Sequence, residues 1–159
     1  MRTLVPLAAL LVAAACGSAP RAKEPCRVAQ PVRLVFRASE HVNPDEQGRS
    51  LASVVRIYLL KDVLRLENAE FEDIWLRAQD TLGEDLVKVD ELTVFPDQEL
   101  ERTVEVPADV SYLIGVALFR KPAGVSWRAV YALPVGPCRG PAAPATRRFY
   151  LEDYRIEGT

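Results

Sequence analysis

The chain has 159 residues, 49% of them apolar and 26% charged, with a formal net charge of −2. That balance describes a globular protein with a real core rather than a disordered one, and its mild acidity lacks the basic footprint of a nucleic-acid binder. One histidine and three cysteines leave little material for nucleophilic catalysis or for a metal site.

The N-terminus is the first informative stretch. Arg2 precedes an almost unbroken apolar run, Leu4 to Ala15. At about a dozen residues the run is too short for the ~20 that cross a bilayer, and it has the length of a secretory signal. Residues 1–15 therefore read as a signal peptide. Ala13-Ala14-Ala15 lead into Cys16, a pattern that resembles the lipobox of bacterial lipoproteins, although Ala13 stands where that motif prefers Leu. The resemblance implies a covalent lipid on Cys16, with Gly17 after it pointing to the outer membrane. The alternative is an ordinary signal peptide cut at Ala15, leaving Cys16 as a thiol. Several acyl chains together make release from a membrane negligible. Residues 16–30 then form a tether, small, polar and proline-bearing, and residues 31–159 one periplasmic domain. About 143 residues follow the signal, enough for a single core, and without Arg2 their net charge is −3.

With Cys16 lipidated, Cys26 and Cys138 remain as an even pair in an oxidising compartment. A bridge between them would clip the start of the domain to the loop Pro134–Pro144; the other reading is two free thiols that never meet.

Val32 to Ala38 alternates large apolar and charged residues, as a half-buried strand does. Ser39 to Ser50 is polar throughout, and Asn43-Pro44-Asp45 with Gly48 is turn chemistry. Ser53 to Leu60 is a β-branched strand. A helix follows, with Asn68 as its expected cap, Glu70, Glu72 and Asp73 favouring its N-terminal dipole, and Gly83 beyond its end. Phe71, Ile74, Trp75 and Ala78 lie at helical spacing on one face, which reads as core packing. Leu86–Phe95 and Leu100–Val106 look like a strand pair joined by a turn at Pro96-Asp97. Tyr112 to Phe119 is apolar on both faces, as a central strand covered by the helix would be. Trp127–Leu133 and Phe149–Ile156 complete the set. The fold class is mainly β: a β-sandwich of seven or eight strands with one inserted α-helix.

Chemistry is sparse. His41, the single histidine, sits in a polar loop, and neither a nucleophile elbow nor a glycine-rich phosphate loop occurs. The start of a calcium loop is imitated by Asn43, Asp45, Gln47 and Gly48, but the twelfth position, where a bidentate Glu is needed, falls on Val54. We expect no catalytic residues, no metal and no cofactor apart from the lipid.

Val32–Ala38, Asn43-Pro44-Asp45 with Gly48, Val55–Asp62, Phe71 and Leu76, Leu82–Leu86, Tyr112–Arg120 and Trp127-Arg128, taken in order behind a lipobox-like cysteine, resemble the TssJ/VasD lipoprotein family of the type VI secretion system. Asp97 after Pro96 and the Cys26/Cys138 pair depart from the family pattern. The resemblance implies a transthyretin-like β-sandwich with an added helix, anchored at the periplasmic face of the outer membrane. It also implies binding to the periplasmic C-terminal domain of the large inner-membrane component, TssM, by a protein that is a monomer alone and present in several copies in the assembled complex. The family's contact loop lies between the first two strands, which maps by position onto His41, Val42, Asn43, Asp45, Glu46 and Arg49. A loop of about twelve residues is longer than a sandwich connection needs, which fits a functional role. The competing reading is a generic periplasmic transthyretin-like binding lipoprotein.

Overall fold

Two four-stranded sheets face each other in the computed structural model, which describes residues 28–133 and 144–159. Cys16, Cys26 and Cys138 lie outside the described residues, as do the stretch expected to be a signal peptide and most of the expected tether. The strands are β1 (Gln30–Val42), β2 (Ser53–Leu60), β3 (Leu86–Val94), β4 (Glu99–Val106), β5 (Tyr112–Ala117), β6 (Arg128–Ala132), β7 (Ala145–Asp153) and β8 (Arg155–Gly158). The first sheet runs β4-β1-β7-β8 and the second β3-β2-β5-β6. Among the described residues only β1 and β7 pair in parallel. The architecture is the expected β-sandwich, with eight strands.

Between the sheets the alternating apolar positions meet. Leu34, Phe36 and Ala38 of β1 face Val55, Ile57 and Leu59 of β2, all buried. Phe36 and Phe149 stack at 4.8 Å between centroids, and Tyr131 meets Phe149 edge-on at 5.2 Å, an arrangement that adds to simple burial. Gly115 makes room for that cluster: a Cβ there would stand 2.7 Å from the Phe149 ring.

β5 is apolar on both sides because its sheet is covered on both sides. A one-turn helix α1 (Leu64–Glu67) and the helix α2 (Phe71–Leu82) lie over the outer face of the second sheet. Ile74 is fully buried, and Phe71, Trp75 and Ala78 pack against the core, so the expected stripe is the docking face. Tyr58 of β2 donates its hydroxyl to the Ile74 carbonyl at 3.1 Å, and burial pushes its phenol above the ordinary pKa. The Arg56 guanidinium lies 4.0 Å from the Trp75 ring and donates to the Trp75 carbonyl at 2.6 Å; Phe71 in turn stacks on Trp75 and meets Trp127 edge-on. Cations placed over desolvated rings add to the attachment.

The structure corrects four local expectations. Asn68 does not start α2; it is the C-cap of α1, donating its Nδ2 to the Leu64 carbonyl at 2.9 Å. Glu70 occupies the N-cap of α2 with no side-chain cap, which leaves Glu72 and Asp73 to complement the helix dipole. Second, β3 and β4 are not a hairpin. Their inward residues, Val94 on one and Val104 and Val106 on the other, are both needed between the sheets, and they are supplied from opposite sides, β3 beside β2 and β4 beside β1. The turn at Pro96-Asp97, with Asp97 at φ 55, carries the chain across. Third, Phe149–Ile156 is not one strand: β7 and β8 form a hairpin that reverses at Asp153 (φ 48) and Tyr154. Fourth, β1 continues to Val42, so the connection to β2 is residues 43–52 and bridges the two sheets.

Candidate docking surface

The direction of β1 divides the molecule into two ends. The strand enters at Gln30, beside the end of β4 and the start of β7. It is 13 residues long, about 40 Å at the usual rise. The β1–β2 connection therefore lies at the end opposite Gln30, where β1 begins. The same end carries the β3–β4 turn, residues 118–127 between β5 and β6, and the β7–β8 reversal.

The β1–β2 connection is a fixed object. Asn43 adopts φ 49, a conformation Asn tolerates better than most residues. Both ends of its side-chain amide are engaged: Oδ1 accepts from the Arg120 N–H at 2.9 Å, and Nδ2 donates to the Ala52 carbonyl at 3.3 Å. Asp45 closes the turn from within. Its Oδ1 accepts from the N–H groups of Gln47 and Arg49, both at 2.9 Å, and its Oδ2 pairs with the Arg49 guanidinium at 2.7 Å. These donors, the Arg49 backbone N–H foremost, hold the Asp45 carboxyl below its ordinary pKa. Gly48, at φ 77, completes the reversal. Tyr154 of the β7–β8 reversal donates its hydroxyl to the Pro44 carbonyl at 2.7 Å, and the Ser50 hydroxyl is bonded to the Glu40 carbonyl.

These contacts divide the six residues expected at the site. Val42 is fully buried in the core and Asn43 is 5% exposed, so neither offers its side chain to a partner in this conformation. The Asp45 side chain is 6% exposed and turned into its own loop. They position the loop. His41, Glu46 and Arg49 are exposed. His41 lies 3.3 Å from Glu40, and Glu46 lies 3.6 Å from Arg120. Arg120 and Tyr154 shape the loop from 77 and 110 residues away along the chain, and nothing in their local sequence marks them for it.

Among the described residues no group of three or more His, Cys, Asp or Glu is arranged to hold a metal ion, and no helix is long and apolar enough to cross a membrane.

Comparison with known proteins gives a consistent result. The family model described as type VI secretion lipoprotein, VasD, EvfM, TssJ matches residues 30–148. The solved structure of the T6SS lipoprotein TssJ1 from Pseudomonas aeruginosa is similar, with 24% identity and a TM-score of 0.69 over 82% of this chain and 97% of that one. Serratia marcescens Lip, described as a membrane bound component of the type VI secretion system, has 19% identity and a TM-score of 0.73 over 81% and 96%. A chain in a structure described as the T6SS protein TssM C-terminal domain from EAEC has 20% identity and a TM-score of 0.66 over 82% and 98%. These likenesses show a shared fold. No curated protein matches the sequence.

Proposed function

Because the chain belongs to the type VI secretion lipoprotein family, we propose that it is a non-enzymatic assembly component. In this reading it is anchored in the outer membrane by a lipid on Cys16 and binds the periplasmic domain of the large inner-membrane component, TssM, through its β1–β2 loop. The observation that carries the reading is the position and rigidity of that loop. It stands at the end of the sandwich away from the tether, where a membrane-anchored domain would meet a partner reaching across the periplasm. It is also held in one shape by Asn43, Asp45 and Tyr154. A preformed loop docks with little ordering cost. The association of a similar fold with a structure described as a TssM C-terminal domain supports the choice of partner.

Few exposed side chains on a small loop suit a modest single-site affinity, which several copies in one assembly would raise by avidity. The test is binding of the detergent-solubilised lipoprotein to the periplasmic domain of the same organism's TssM, with wild type compared against a variant whose residues 45–49 are replaced by Gly/Ser. Micromolar or tighter binding that disappears in the variant, with the variant still cooperatively folded at the assay temperature, supports function and site. Binding that survives moves the site to another face. No binding by the wild type favours a generic periplasmic binding lipoprotein. For the anchor, Cys16→Ser should abolish incorporation of labelled palmitate and release the protein from the outer-membrane fraction; retention of both would refute lipidation at Cys16.

A further inference from the structure

Resting on the partner reading above, we infer that the docking surface is a composite in which the β5–β6 connection supplies an apolar anchor, Val125, and a free cation, Lys121. Residues 118–127 share the end of the sandwich with the β1–β2 loop and are bonded to it. The Arg120 N–H meets Asn43 at 2.9 Å, and its guanidinium reaches Glu46 at 3.6 Å. The two loops are joined a second time through Tyr154. Its hydroxyl holds Pro44 at 2.7 Å, while its carbonyl accepts from the Ser126 hydroxyl at 3.2 Å.

The turn that carries Val125 is as fixed as the β1–β2 loop. Gly124 takes φ 54, and its carbonyl accepts from the buried Trp127 indole N–H at 2.7 Å. The Ser126 hydroxyl donates to the Ala123 carbonyl at 2.7 Å. Between these two pinned positions Val125 stands 65% exposed. A short, stiff side chain on a pinned turn loses little entropy when it is covered. The charges nearby are unequally committed. Arg49 is taken by Asp45 and Arg120 by Glu46. Lys121 has no carboxylate at ion-pair distance among the described residues and lies 5.9 Å from the Tyr154 ring.

The complementary patch on the periplasmic domain is then an apolar recess that receives Val125, with a carboxylate at its border facing Lys121.

The test uses the same full-length lipoprotein and partner domain, with Val125→Asp and Lys121→Glu beside the residues 45–49 replacement. Both side chains are exposed, so melting temperatures should stay at the wild-type value. Val125→Asp should weaken binding about tenfold or more, as expected for a buried anchor. Lys121→Glu should weaken it several-fold and reduce its dependence on salt. Loss in both Val125→Asp and the Gly/Ser replacement supports the inference; loss in Val125→Asp with the Gly/Ser replacement still bound would confine the site to residues 118–127 and overturn the composite. Wild-type binding that both point variants retain within twofold overturns the composite surface and leaves the partner reading intact. Absence of wild-type binding overturns both.

Discussion

The helix-clad second sheet and the loop end are held together by different physics. Over the sheet, Ile74, Phe71 and Trp75 are fixed by burial, with Tyr58 and Arg56 adding bonds to helix carbonyls. At the loop end hydrogen bonds set the shape: Asn43, Asp45 and Tyr154 each engage backbone groups of residues 43–52 or 120. Burial is non-directional and tolerates exchange of similar side chains. A loop held by directed bonds can present a fixed outline while leaving its outer side chains free to vary. One region therefore sets whether the chain folds, and the other sets what the folded chain can touch.

The largest expected effect tests the first half of that contrast. Ile74→Ala removes a fully buried side chain under the helix and should cost about 2–5 kcal/mol, read from denaturant midpoints. Binding to the partner domain, measured below the transition, should be unchanged. A concurrent loss of binding by the folded fraction would show that the helix face and the loop end are coupled.

Asn43 is both buried and hydrogen-bonded at the loop end, and Asn43→Ala should lower stability and binding together. It deletes two hydrogen bonds worth ~1 kcal/mol each and places Ala in a left-handed conformation at a further ~1 kcal/mol, so a loss of about 3 kcal/mol with weakened binding is expected. Asn43→Gly relieves only the backbone strain and should recover the smaller part. Equal stability of the two variants would deny the left-handed backbone any share.

Acid sharpens the contrast further. The Asp45 carboxyl has a lower pKa folded than unfolded, so the unfolded chain binds its proton first. The carboxyl's contribution is therefore fully present above the ordinary carboxylate pKa of about 3.9 and is lost as pH falls through the lower folded value. Hydrogen-exchange protection of the Gln47 and Arg49 amides should fall below about pH 4 in the wild type, before the amides of β2 and β5 open. An Asp45→Ala variant, which has no side-chain acceptor, should show low protection at those two sites at every pH. Protection that follows β2 and β5 at all pH values would make the loop part of the global unit.

The smallest stability effects belong to the outer side chains. His41→Ala and Glu46→Ala should each leave the unfolding free energy within about ±0.5 kcal/mol of wild type, because their ion pairs are exposed and screened. Their effect should appear in binding instead. A large destabilisation from Glu46→Ala would mean that its link to Arg120 is structural.

Several features of this chain were legible from residue order because they depend on local periodicity. Alternation in β1, apolarity on both faces of β5 and the stripe Phe71-Ile74-Trp75-Ala78 each record which sides of an element meet other atoms. The turn residues Asn43, Asp45 and Gly48 were recognisable for the same reason, since their side-chain bonding and backbone preferences act within a few positions. Which strand lies beside which was decided only by the assembled sandwich. Nothing between β3 and β4 distinguishes a hairpin from a crossing between sheets until both sets of inward residues compete for one interior. The division of the expected site into inward Val42, Asn43 and Asp45 and outward His41, Glu46 and Arg49 was likewise settled in three dimensions. It depends on Arg120 and Tyr154, which reach the loop only after the β5–β6 and β7–β8 connections have come to the same end, and contacts between residues so distant in sequence leave no local pattern.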